Sequence, residues 1–220
     1  LKPAKAITVS AWIKPERVGK GGWQWQQIYR KEDGNARALM AIGEYEKKHS
    51  LCFGLGISGK YVEHGVPLEP AKLLDGKWHL VSVTFDGKAI KFYADGQEIG
   101  ASTKATGSID TQGEAPAYIG SDKGTREFFK GGIDDVRIYN RAVSSGEIKT
   151  MALGDGKATV DGIVGWWKLD GDLKNSAAKT PPGSVAQFRG VDRKWKATPL
   201  SLGGSRLEIR AAGEAAVRVT

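Results

Sequence analysis

Cysteine, histidine and long apolar runs are what this 220-residue chain has least of. Its one cysteine, Cys52, excludes an internal disulfide and any cysteine-based zinc site, and its neighbours Leu51, Phe53 and Leu55 give it the setting of an inert buried thiol. The histidines His49, His64 and His79 stand far apart and lack any short-range metal spacing. No stretch approaches the roughly 18–20 apolar residues that a membrane span needs, and no charged-then-apolar leader opens the chain. Because it begins at Leu1 without an initiator Met, a processed protein or a fragment is expected, and prior removal of an export signal stays open. Helical periodicity is scarce and glycine, at 30 residues, is abundant, which favours many short strands joined by tight turns. The net charge of +8 would suit an anionic partner, but the basic residues are scattered rather than run together, the pattern of a solvated surface.

What is present is strand alternation. In Trp78 to Gly100, Val81, Val83 and Phe85 alternate with Ser82 and Thr84, and the pattern resumes after Asp86-Gly87 with Ile90, Phe92 and Ala94. Asp-Gly favours the positive φ of a hairpin turn, and Asp95-Gly96 repeats it, so the stretch reads as a three-strand antiparallel meander. A meander cannot cover its own oily face, so a second sheet is required. Residues 7–13, 27–31, 38–43, 50–57, 61–66, 117–120 and 132–141 supply further strands, with GEYEKKHS as a polar hairpin tip and 102–116 as a long polar loop. Ser144-x-x-Glu147 is a capping box that predicts one short helix over 144–153.

Several side chains could bind a ligand. Trp23 and Trp25 lie two apart on a Gly-opened loop, so an extended backbone would put both indoles on one side, as a stacking platform requires; capping the core edge is the alternative. Tyr45, Tyr61 and Trp195 are further stacking candidates, with Arg30, Arg37 and Lys60 as a basic rim for sulfate or carboxylate groups. In Trp166-Trp167 one ring should face the core and the other solvent. Nucleic acid is not an expected partner, since the chain lacks the aromatic and basic interleaving of its binding modules.

The segments ITVSAWIKP, DGKWHLVSVTFDGKAIKFYADGQEIG, YIGSDKG and FKGGIDDVRIYNRAVSSGEI together resemble the laminin G-like, concanavalin A-like domains of bacterial surface and secreted proteins, over about residues 6–153. The resemblance implies an all-β, two-sheet antiparallel jelly-roll sandwich and an extracytoplasmic location, within a larger multidomain protein. It also gives 1–155 as the jelly-roll core, 156–162 as a linker, and 163–220 as a segment similar to the opening strands of the same fold. That segment either completes the one sandwich in permuted order, which the uncovered sheet edges favour, or begins a second domain. The family often holds a structural calcium, which carried over implicates Asp134, with Asp170, Asp172 and Asn175 as companions, although the usual Asp-rich turn reads GGSR here. Retaining glycosidases of this architecture carry two carboxylates about 5 Å apart, typically at E-x-D-x-x-E spacing. No such triplet occurs, and Glu44 and Glu46 sit beside Lys47 and Lys48 at a hairpin tip, the setting of solvated loop charge. The expectation is a non-catalytic recognition or adhesion module for a glycan, anionic glycans included, or a protein, with a structural or assembly domain as the alternative and a glycoside hydrolase or lyase behind it.

Overall fold

The computed structural model describes residues 5–16, 25–68, 73–110, 115–153, 161–169 and 175–177 with their side chains, and the backbone of Ala186–Arg189 and Ala216–Val219. In chain order the strands are β1 (Ile7–Pro15), β2 (Gln26–Asp33), β3 (Ala36–Tyr45), β4 (Lys48–Ile57), β5 (Lys60–Pro67), β6 (His79–Phe85) and β7 (Ile90–Ala94). They continue as β8 (Gln97–Ser102), β9 (Ala117–Ile119), β10 (Gly131–Tyr139), the helix α1 (Ser145–Leu153), β11 (Ile163–Trp167), β12 (Ala186–Arg189) and β13 (Ala216–Val219). Two antiparallel sheets result, one in the order β11-β10-β1-β6-β7-β8 and the other β12-β13-β9-β2-β3-β4-β5.

The meander forms as its alternation requires. Val81, Val83, Phe85, Ile90 and Phe92 point inward from the first sheet and meet Ile28, Met40, Ile42, Leu51, Phe53 and Leu55 of the second in one core. Asp95 and Gly96 both take positive φ, 49° and 82°, which lets the two-residue turn follow the twist of its strands. The broken alternation at Asp134-Asp135 is a bulge: the register of β1 against β10 shifts between Ser10 and Trp12, and Asp135 adopts φ 47°.

The polar stretch around GEYEKKHS is shorter as a turn than its composition predicts. Strand pairing continues to Tyr45↔Lys48, leaving Glu46 and Lys47 to turn the chain at positive φ. The long 102–116 loop is partly anchored, with Ile109 buried and bridged to Ile57, and Ser58 N–H donating to Ser108 O at 3.1 Å. Outside the first sheet, α1 lays Ile148 and Met151 on Leu80, Tyr93 and Tyr139. The capping box is formed: Ser144 N–H donates to Glu147 Oε2 at 2.9 Å and Glu147 N–H to Ser144 Oγ at 3.3 Å.

The segment after the helix adds to both sheets. β11 pairs antiparallel with β10 through Val136↔Trp167 and Ile138↔Gly165. Trp167 is fully buried in the core, while Trp166 lies on the other face beneath Arg137 and Lys168, whose cationic groups stand 4.8 and 4.5 Å from its ring. β12 pairs with β13, and β13 with β9. Of the segment similar to opening strands, residues 190–215 lie outside the described residues.

Candidate functional site

Strand register sorts the second sheet into an inner and an outer face. Tyr29↔Met40↔Phe53 and Lys31↔Ala38↔Leu55 are inward rungs, so the rungs between them point away from the core. The outward pairs read Gln27↔Ala41↔Cys52↔Gly65, Arg30↔Leu39↔Gly54↔Glu63, Glu32↔Arg37 and Gly56↔Tyr61. Small residues occupy the middle of this face. A trough lined by glycines would be open to water if nothing filled it.

Aromatic rings fill it. A Cβ built on Gly43 would come 2.5 Å from Trp25 Cε3, one on Gly65 would come 2.6 Å from Tyr45 Cβ, and one on Gly54 would collide with the Tyr61 ring. Each of these side chains is seated where only glycine leaves room. All three stay partly exposed, and Leu39, Ala41 and Cys52 are buried beneath the layer. Burial pushes the Cys52 thiol well above its ordinary range, in keeping with an inert thiol.

Charged groups border the rings. Arg37 sits over Tyr61 with its Cζ 4.6 Å from the ring centroid, and the Tyr61 hydroxyl donates to Glu63 Oε2. Burial raises the Glu63 pKa; the Tyr61 hydroxyl, Arg37 and Arg30 oppose the rise, and Glu127 adds to it. Gln27 is buried, donates from Nε2 to Glu127 Oε2 at 2.7 Å, and leaves its Oε1 buried without a partner.

Trp25, Tyr45 and Tyr61 therefore share one sheet face, while Trp23 and Trp195 lie outside the described residues. Lys60 stands exposed at the β4–β5 turn. Arg30 is not a rim charge. It is 8% exposed and held by Glu32 (Nη2 to Oε2, 2.6 Å), Glu127 (Nη1 to Oε2, 3.1 Å) and Asp122 (Nε to Oδ1, 3.4 Å), because a guanidinium withdrawn from water needs opposing charges. Those carboxylates come from distant parts of the chain, which no spacing rule reveals; Glu63 was equally invisible, being one polar residue in a β-strand. Glu44 and Glu46 are exposed at the β3–β4 turn, away from any cleft described here.

The calcium set fares differently. Asp170 and Asp172 lie outside the described residues. Asn175 turns its Oδ1 toward the N–H groups of Trp166 at 2.8 Å and Ala177 at 3.0 Å, so its oxygen is spent on the backbone and does not fit a cation. Asp134 Oδ1 accepts from Asp135 N–H at 2.8 Å. Among the described residues, no three His, Cys, Asp or Glu side chains group closely enough to hold a metal.

Two facing antiparallel sheets packed on one shared core define a jelly-roll sandwich of the concanavalin A-like class. The chain belongs to the concanavalin A-like lectin/glucanase superfamily, whose laminin G-like model matches residues 1–149. No curated protein matches the sequence. Among solved structures it is similar to a candidate carbohydrate binding protein from Bacteroides ovatus, at 21% identity and a TM-score of 0.60 over 84% of this chain and 49% of that one. It is also similar to the enzymatically active domain of a tailspike protein of bacteriophage CBA120, at 13% identity and a TM-score of 0.53 over 78% of this chain and 28% of that one. The chain thus spans about half the length of the first and less of the second, and at these identities the likeness carries the fold alone. No helix among the described residues is long and apolar enough to cross a membrane.

Proposed function

We propose that this chain is a non-catalytic recognition module that binds a glycan on the outer face of its second sheet, as part of a larger extracytoplasmic protein. The observation that carries the reading is the seating of Trp25, Tyr45 and Tyr61 on Gly43, Gly65 and Gly54, which turns a trough into a partly exposed aromatic floor. Sugar rings present apolar C–H faces that pack on such floors, and their hydroxyls suit the carboxylate and guanidinium groups of Glu63 and Arg37 at its margin. With Arg30 occupied by carboxylates, the face favours an uncharged glycan over an anionic one. Family membership and the carbohydrate-binding description of the Bacteroides ovatus protein support the same class of ligand.

The pairing of β11 with β10 supports a single sandwich in which 163–220 completes the fold in permuted order. The test of the binding site is a glycan array followed by calorimetry. Saturable binding of a neutral glycan, weakened about tenfold or more by Tyr61→Ala or Trp25→Ala, is the expected result. Binding untouched by both changes removes the site; a tight protein partner with no glycan signal replaces the reading with an assembly domain; turnover of a polysaccharide replaces it with an enzyme.

A further inference from the structure

Trp78 is exposed where a tryptophan of its size is seldom left in water. At 44% it is one of the exposed large hydrophobics among the described residues, the other being Leu153 at a helix end. Its ring rests on Gly132 of β10, where an added Cβ would come 2.5 Å from Cη2 and 2.9 Å from Cζ2. Beside it opens a cleft of about 400 Å³ lined by Pro15, Leu74, Lys14, Glu16 and Asp75 among others. That is the small end of the range for ligand pockets.

The platform is held from behind. His79, the next residue, is 7% exposed, with Nδ1 2.7 Å from Asp95 Oδ2 and Nε2 2.9 Å from Asp75 Oδ1. Asp75 also accepts from Lys77 N–H at 2.8 Å, so the loop ending at Trp78 is tied at both ends to the β7–β8 turn and to its own backbone. Order of this kind lowers the entropy that a ligand would have to remove. Lys14 and Lys77 balance Glu16 and Asp75 in charge, so the cleft does not select an ion. A flat aromatic face beside charge-balanced polar groups suits an uncharged ring that is apolar on one side and rich in hydroxyls at its edge.

We infer that Trp78 and the adjoining cleft form a second saccharide subsite, taking one ring of a neutral oligosaccharide. It is built on β1, β10 and the start of β6 in the first sheet, and so stands or falls separately from the outer face of the second. Two-dimensional ¹H–¹⁵N spectra of the full chain test it, with the Trp78 indole signal identified by its loss in Trp78→Phe and with cellohexaose and chitohexaose as probes. The expected result is a saturable shift of that signal in the wild type and equally in Trp25→Ala and Tyr61→Ala, reduced about tenfold in affinity by Gly132→Ala, whose methyl group displaces the ring. Trp78→Phe alters an exposed position and Gly132→Ala a half-buried one, and unchanged signals elsewhere confirm folding. No shift with either probe up to about 10 mM, beyond the millimolar affinity expected of one stacked ring, overturns the inference even if the second sheet binds. A shift that vanishes in Tyr61→Ala overturns it as well, because the Trp78 signal would then report the other site.

Discussion

Trp25 lies on Gly43 so closely that a β-carbon on the glycine would reach 2.5 Å from its ring. The relationship ties one backbone position to the height and tilt of one indole. Gly43→Ala should therefore lift Trp25 off the sheet and weaken glycan binding by about tenfold while leaving the strand intact, since Gly43 is not in the left-handed region. Titration calorimetry of Gly43→Ala beside Trp25→Ala reads this directly: equal losses support the seated ring, and wild-type affinity in Gly43→Ala removes Trp25 from the site.

Glu63 makes a prediction of unusual sign. Its burial raises its pKa against the pull of Tyr61, Arg37 and Arg30, so the folded state holds the proton more firmly than the unfolded state does. Ionised Glu63 therefore costs stability at neutral pH, and that cost fades as pH falls through the raised value toward the ordinary 4.5. Glu63→Gln should be at least as stable as the wild type near pH 7, with the difference closing near pH 4. Urea unfolding at both pH values checks it, and a clear loss at neutral pH would show that the hydrogen bond from Tyr61 outweighs burial.

His79, which is buried, and His64, which is half-buried, should pull in opposite directions. Burial disfavours the charge on His79, but the hydrogen bonds with Asp95 and Asp75 outweigh it and raise its pKa above 6.5. Its contribution is complete below 6.5 and is lost as pH rises through the raised value. His64, packed 5.8 Å from Phe92 and 5.2 Å from Tyr45 between ring centroids, has its pKa lowered by burial and by Lys104, with Glu46 opposing. Its neutral form is the stable one, so stability is lost as pH falls through 6.5 toward the lowered value. His79→Gln should be most destabilising near pH 5 and least near pH 9, and His64→Gln should narrow the wild-type loss on acidification. Parallel pH profiles for the two variants would refute the assignment.

The capping box offers a smaller, cleaner effect. Ser144→Ala should cost about 1 kcal/mol, the usual worth of an N-cap side chain. Glu147, held at about 2 by Arg141 first and then by Ser144, adds stability that is present above 4.5 and lost as pH falls toward 2. Thermal melts of Ser144→Ala at neutral pH measure the first. An unchanged melting temperature would mean that α1 is held by Ile148 and Met151 alone.

Local patterns announced much of this, and long-range ones did not. The alternation of Val81, Val83 and Phe85, the Asp95-Gly96 turn, the Ser144-x-x-Glu147 cap and the opposite facing of Trp166 and Trp167 all follow from residues within one element, where periodicity and turn chemistry operate. The ion cluster around Arg30 draws on positions 122 and 127, and the seats of the aromatic rings on glycines of other strands; both depend on register between segments that the sequence does not pair. Trp78 was readable as the residue before a strand but not as an exposed platform, because only the fold brings Gly132 beneath it. The break at Asp134-Asp135 became intelligible once the bulge opposite Ser10 and Trp12 was visible.

Ending the chain at residue 155 tests the permuted sandwich. β11 covers the outer edge of β10, and Trp167 enters the core beside Val136 and Ile138. Its removal strips a fully buried indole and bares one edge of a long strand, so the shortened chain should lose more than the about 3–5 kcal/mol expected for Trp167→Ala alone and should tend to associate through that edge. Urea unfolding and light scattering of 1–155, Trp167→Ala and the full chain separate the two contributions. If 1–155 is monomeric and as stable as the full chain, then β10 is a tolerated edge, Trp167 packs on a sandwich already complete, and the later residues belong to a second unit.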